Sequence, residues 1–150
     1  MHLHHAVADH WAFLGHDGEI SSTAPLVRAI GSLVLVAFRS HGRLVVAKDD
    51  CPHQGASFAG SRIVDECLVC PFHGWTFDQE GCYVQGFRGN MPEPVRQTLR
   101  LERYPARSRD GRIWVMPTPT SKFPPDTLIP AIFSWYAAAC QWRVSITVAI

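Results

Sequence analysis

Two short runs constrain this chain more than anything else in it: Cys51-Pro52-His53 and Cys70-Pro71-Phe72-His73, with sixteen residues between them. Each run offers one thiolate and one imidazole. Cys51 and His53 stand two apart, so in extended backbone both side chains leave the same face. Pro52 fixes φ between them and stiffens that geometry. Cys70 and His73 stand three apart, which suits a tight turn. Gly55 follows the first pair and Gly74 the second, and glycine there lets backbone approach an inorganic core and offer it N–H groups. Two thiolates and two imidazoles, shared evenly by two loops, are the donor set of an asymmetric two-iron cluster. The thiolates hold one iron, the imidazoles the other, and sulfides bridge them. A single zinc ion is the main rival, but structural zinc usually draws on a cysteine pair in one arm and a histidine pair in the other. Unrelated buried cysteines and histidines are the blander alternative. Both stay open from the spacing alone.

The cysteine count bears on this choice. Five cysteines, Cys51, Cys67, Cys70, Cys82 and Cys140, are an odd number, and the start Met1-His2-Leu3-His4-His5 lacks the basic-then-apolar layout of a signal peptide. That combination argues for a reducing compartment, the cytoplasm, and for metal ligation rather than a disulfide framework. Cys67 and Cys82 could pair but read better as buried thiols. No stretch approaches the ~18 consecutive apolar residues of a membrane span. The net charge is +1 with no long basic run, which argues against nucleic acid or an anionic membrane as partner. With 150 residues, 47% of them hydrophobic, the chain is long enough to bury a real core.

From Ala12 to Met116 short apolar runs alternate with Gly, Pro, Asp and Ser, the pattern of many short strands. The runs are Ala12–Leu14, Leu26–Ile30, Leu33–Arg39, Leu44–Lys48, Arg62–Val64, Cys67–Val69, Thr76–Phe77, Leu101–Tyr104 and Ile113–Met116. Turns fall at Gly31, His41-Gly42, Gly81 and Asp110-Gly111. No segment keeps a 3.6-residue apolar period long enough to predict a helix. A small antiparallel sandwich or barrel follows. Beyond Met116 the character changes. Pro117-Thr118-Pro119-Thr120-Ser121 reads as a linker, and Trp142 to Ile150 as a hydrophobic strand that needs a sheet to join.

The run Cys51-Pro52-His53-Gln54-Gly55-Ala56 with Cys70-Pro71-Phe72-His73-Gly74-Trp75-Thr76-Phe77-Asp78 resembles the Rieske domain of the Rieske non-haem iron oxygenases. The likeness extends over about residues 10–117, through Trp11 to Gly15, Val36 to Arg39, Gly81-Cys82, Tyr104-Pro105 and Gly111 to Val115. It implies a mainly β fold, the Rieske-type antiparallel β-sandwich with a small cluster-binding subdomain. It also implies a [2Fe–2S] cluster on Cys51, His53, Cys70 and His73. Residues 1–117 would form the Rieske domain, and residues 118–150 a linker and the start of a catalytic domain. Pro125 to Pro130 and Trp142-Arg143-Val144 resemble the stretch leading into that domain in vanillate O-demethylase-like members. There a mononuclear Fe(II), held by two histidines and a carboxylate, activates O₂. The iron ligands of such enzymes come after this stretch, so residues 1–150 would transfer electrons without oxygenating anything. The resemblance further implies an NAD(P)H-dependent reductase or a ferredoxin as donor, and a homo-oligomer, usually a trimer. The other reading is a stand-alone Rieske ferredoxin carrying electrons between a reductase and an oxygenase.

In respiratory Rieske proteins each cluster loop carries an extra cysteine, and the two pair. The matching positions here are Ala56 and Phe72, so that disulfide cannot form. Trp75 and Phe77 stand where the high-potential class places hydroxyl donors. Fewer hydrogen bonds to sulfur stabilise the reduced cluster less, which predicts a potential around −150 mV, the low end of the Rieske range. Trp75 itself reads as a core aromatic that could also shield the cluster. His10, His16 and His41 read as surface or turn residues.

Overall fold

In the computed structural model the described residues are 11–86 and 92–119. The expected terminal strand at Trp142–Ile150, the linker beyond Pro119, His10 and Cys140 lie outside them. Eleven strands run in chain order: β1 (Ala12–His16), β2 (Leu26–Ile30), β3 (Leu33–Ser40), β4 (Arg43–Lys48), β5 (Arg62–Val64), β6 (Cys67–Val69), β7 (Thr76–Phe77), β8 (Tyr83–Gln85), β9 (Arg103–Tyr104), β10 (Ala106–Arg109) and β11 (Arg112–Val115). Among the described residues a short α-helix, α1 (Glu93–Thr98), precedes β9, and a 3₁₀ turn, Asp17–Glu19, follows β1. Every strand pairing is antiparallel. The sheets have the orders β1-β11-β10, β2-β3-β4-β9 and β5-β6-β7-β8. The mainly β, antiparallel fold expected from the sequence is therefore the fold observed. No helix among the described residues is long and apolar enough to cross a membrane.

The β2-β3-β4-β9 sheet is buried on both faces, and β3 shows why. Its run Leu35-Val36-Ala37-Phe38 is wholly apolar and fully buried, as a strand covered on both faces must be. Side chains alternate between faces. Leu35 and Ala37 join Leu14, Val46, Ile113 and Val115 in a core against the β1-β11-β10 sheet. Val36 and Phe38 join Val45, Ala47, Phe58, Leu68 and Phe77 in a second core against the β5–β8 sheet. Cys51, Cys70 and Trp75 belong to that second core, so the candidate ligands are anchored in packed protein rather than on a loose surface loop.

Three elements depart from the sequence expectation. Strand β10 has the sequence Ala-Arg-Ser-Arg, exposed at its last three residues, and an outer strand that buries nothing carries no apolar alternation. Strand β8 is three residues long, with only Tyr83 buried. Helix α1 has six residues, under two turns, too few to show a period; Pro92 and Pro94 suit its start, where N–H groups have no partner anyway. The cysteine reading also needs correction in one place. Cys51, Cys67 and Cys70 are thiols, but Cys82 is disulfide-bonded.

Candidate metal centre

Strand β4 runs into the first loop, and β6 and β7 are joined by the second. The two loops have the same backbone frame. In the first, the Cys51 N–H donates to the Ala56 carbonyl at 2.9 Å, and the Gly55 N–H donates back to the Cys51 carbonyl at 2.8 Å. In the second, Cys70 N–H donates to the Trp75 carbonyl at 2.8 Å, and Gly74 N–H to the Cys70 carbonyl at 3.0 Å. Each six-residue loop is thus closed on its own cysteine. The closing residue takes positive φ, 74° at Gly55 and 68° at Gly74, where an L side chain is strained. This is the physical reason for glycine four residues after each cysteine.

The loops differ in what holds them. The second sits on the β6–β7 ladder, with Leu68 opposite Phe77 and Val69 opposite Thr76. The first has no such ladder, and Asp49 takes that role. Its carboxylate accepts the Phe58 N–H at 2.6 Å and the Ser57 hydroxyl, while its own N–H donates to the Val34 carbonyl at 2.9 Å. One residue, through its side chain and its backbone, therefore ties both ends of the first loop to the central sheet, and Phe58 follows into the core.

The four expected residues come together in two pairs. The Cys51 and Cys70 side chains interact with one another, and both are nearly inaccessible, 2% and 3% exposed. The His53 and His73 rings lie edge to face, 4.8 Å between centroids, nearer the surface, with His53 half-buried and His73 exposed. Among the described residues no three of His, Cys, Asp and Glu gather closely enough to enclose one ion. Two thiols inside and two imidazoles outside suit two metal ions with unlike ligands. Burial pushes the Cys51 thiol up to about 12; the His53 backbone N–H, donating to the sulfur, opposes that rise, and the neighbouring Cys70 and Asp50 add to it. The desolvated Cys51 thiol resists becoming a thiolate unless a cation compensates it. The donor set and its burial therefore fit an iron–sulfur core.

Sequence reasoning did not find the surroundings of the pair of histidines. The indole of Trp75 lies flat on the His53 ring, 4.1 Å between centroids and 12° between planes. Phe72 packs edge-on to His73 at 4.9 Å and is 70% exposed. Trp75 was legible as an aromatic in the core, but its partner was not, since the two residues are far apart in sequence.

Fold and site define a class: cluster-binding domains built from two loops on a small antiparallel β-structure. The chain belongs to the Rieske [2Fe–2S] domain family, which its residues 10–105 match, and its cofactor is the [2Fe–2S] cluster of that family. It is similar to the oxygenase component of dicamba O-demethylase from Stenotrophomonas maltophilia, 35% identical over 64% of this chain and 28% of the relative. It is also similar to the vanillate O-demethylase oxygenase subunit of a Pseudomonas species, 33% identical over 75% of this chain and 36% of the relative. Among solved structures, dicamba monooxygenase with non-haem iron and dicamba superposes with a TM-score of 0.68 at 31% identity, covering 79% of this chain and 36% of that one. The chain spans between about a fifth and about a third of the length of these and the other first relatives.

Proposed function

We propose that Cys51, His53, Cys70 and His73 hold the [2Fe–2S] cluster and that residues 1–117 act as the electron-transfer domain of a Rieske oxygenase. The observation that carries this reading is the pairing: two thiols together in the core and two imidazoles together toward the surface, on loops of one design. When bound, such a cluster takes up and releases one electron at a time. The chain's own residues do the rest. Cys51 and Cys70 supply the buried charge, the closing glycines let backbone approach, and the exposed His73 offers the path by which an electron enters or leaves.

The relatives and the superposed dicamba monooxygenase, which holds non-haem iron, support an electron acceptor of that kind: a mononuclear Fe(II) in a catalytic domain that residues 118–150 would introduce. The donor would be an NAD(P)H-dependent reductase or a ferredoxin, the assembly a trimer, and the compartment the cytoplasm. The proposal is tested on the ligands directly. His73→Cys should replace the native visible and EPR spectra with those of a more thiolate-rich cluster, or lose the cluster. A His73→Cys protein with native spectrum and native potential would overturn the assignment.

A further inference from the structure

We infer that Trp75 is a positioning residue for His53, fixing the imidazole plane from the opposite loop. The inference rests on the ligand reading above and goes beyond it. Trp75 is the hinge point of the site: its carbonyl closes the second loop on the Cys70 N–H, while its indole lies on a histidine of the first loop. It thus ties the backbone of one arm to a ring of the other.

The indole is itself held. It is 7% exposed. Tyr83 packs on it edge-on at 4.9 Å, and the Phe77 ring backs Tyr83 at 6.3 Å. On the remaining side Gly86 leaves no slack: a Cβ there would fall 2.8 Å from Tyr83 Oη, 2.9 Å from Trp75 Cδ1 and 3.1 Å from Nε1. Packed protein therefore stands behind the indole, and the His53 ring in front of it. A rigid flat surface against a ligand ring removes rotation about its χ2, which is otherwise broad for histidine. Groups that orient a metal-bound imidazole tune the metal as well as its affinity. Among the described residues the ring neighbours of His73 are His53 and the exposed Phe72, both edge-on rather than stacked. The two histidines are accordingly unequal, one clamped and one open.

The test uses cluster-loaded protein and compares Trp75→Phe, which keeps a flat ring over His53, with Trp75→Leu, which keeps apolar bulk alone. Trp75→Phe should retain the native reduced-state EPR g values and midpoint potential. Trp75→Leu should shift and broaden the EPR signal and move the potential, at native iron and sulfide content. Equal behaviour of the two variants, whether both native or both shifted alike, would overturn the inference. Should Trp75→Leu fail to load, Gly86→Ala replaces it, since its Cβ would press the indole out of position and leave the four proposed ligands unchanged. A shifted signal supports the clamp, and a native one refutes it. Native protein with iron and sulfide but no Rieske signal would instead refute the ligand reading, so the two failures are distinguishable.

Discussion

The first and second cluster loops share a backbone frame and differ in almost everything around it. Both close on cysteine with the same two hydrogen bonds and a left-handed glycine. The second, however, is a hairpin loop whose ends are registered by β6 and β7, whereas the first is fastened by the carboxylate of Asp49. The histidine follows its cysteine at two residues in the first loop and at three in the second, and His53 is half-buried under Trp75 while His73 is exposed. The frame is therefore a generic clasp. What distinguishes the loops is how each is tied to the sheet and how much of its imidazole reaches solvent.

The largest effect expected is one the loops share. Cys51→Ala or Cys70→Ala removes half of the thiolate set and should abolish the native cluster, read as complete loss of the visible absorption bands. A variant that kept them would break the symmetry between the loops. Asp49→Ala should act on the first loop alone. Hydrogen bonds to a charged group are worth about 1.5–3 kcal/mol, so unfolding should become easier by roughly 2 kcal/mol in denaturant titration, and amide exchange should accelerate at Gly55 and Phe58 but not at Gly74. Equal acceleration in both loops would show that Asp49 supports the domain generally.

Smaller effects come from the glycines. Left-handed backbone costs an L side chain about 1–2 kcal/mol, so Gly55→Ala and Gly74→Ala should each destabilise by about that amount. Gly55→Ala should be the worse, because its new Cβ would meet Asp50 Oδ1 at 3.2 Å while one at Gly74 meets nothing within 4 Å. The smallest is a pH effect on metal-free protein. Burial pushes the Cys51 thiol up from its ordinary 9.0 to about 12. The folded state prefers the protonated thiol, so its contribution is whole below pH 9 and lost as pH rises toward about 12. Cys51→Ser should flatten that part of the stability profile relative to native protein.

How legible these features were follows from whether they are local. Strands β2, β5, β6 and β7 were read with their observed limits, because each buries one face or lies in an apolar run between turn residues. The candidate ligand set is proposed from Cys-Pro-His and Cys-Pro-Phe-His, which are contiguous and imply their chemistry by residue type. Strand β10 was not, since Arg107, Ser108 and Arg109 are exposed and leave no hydrophobic trace. Neither was the role of Asp49 or the stack of Trp75 on His53, which exist only once separate loops are folded together.

The central claim is that this arrangement holds two unlike irons rather than one ion. The measurement that tests it most directly is EPR spectroscopy of the dithionite-reduced protein, with iron and labile sulfide assayed on the same sample. The account predicts two irons and two sulfides per chain, a Rieske-type signal of low average g, and a midpoint potential around −150 mV. Stoichiometric zinc without labile sulfide, or an iron–sulfur signal of the all-cysteine type, would contradict it.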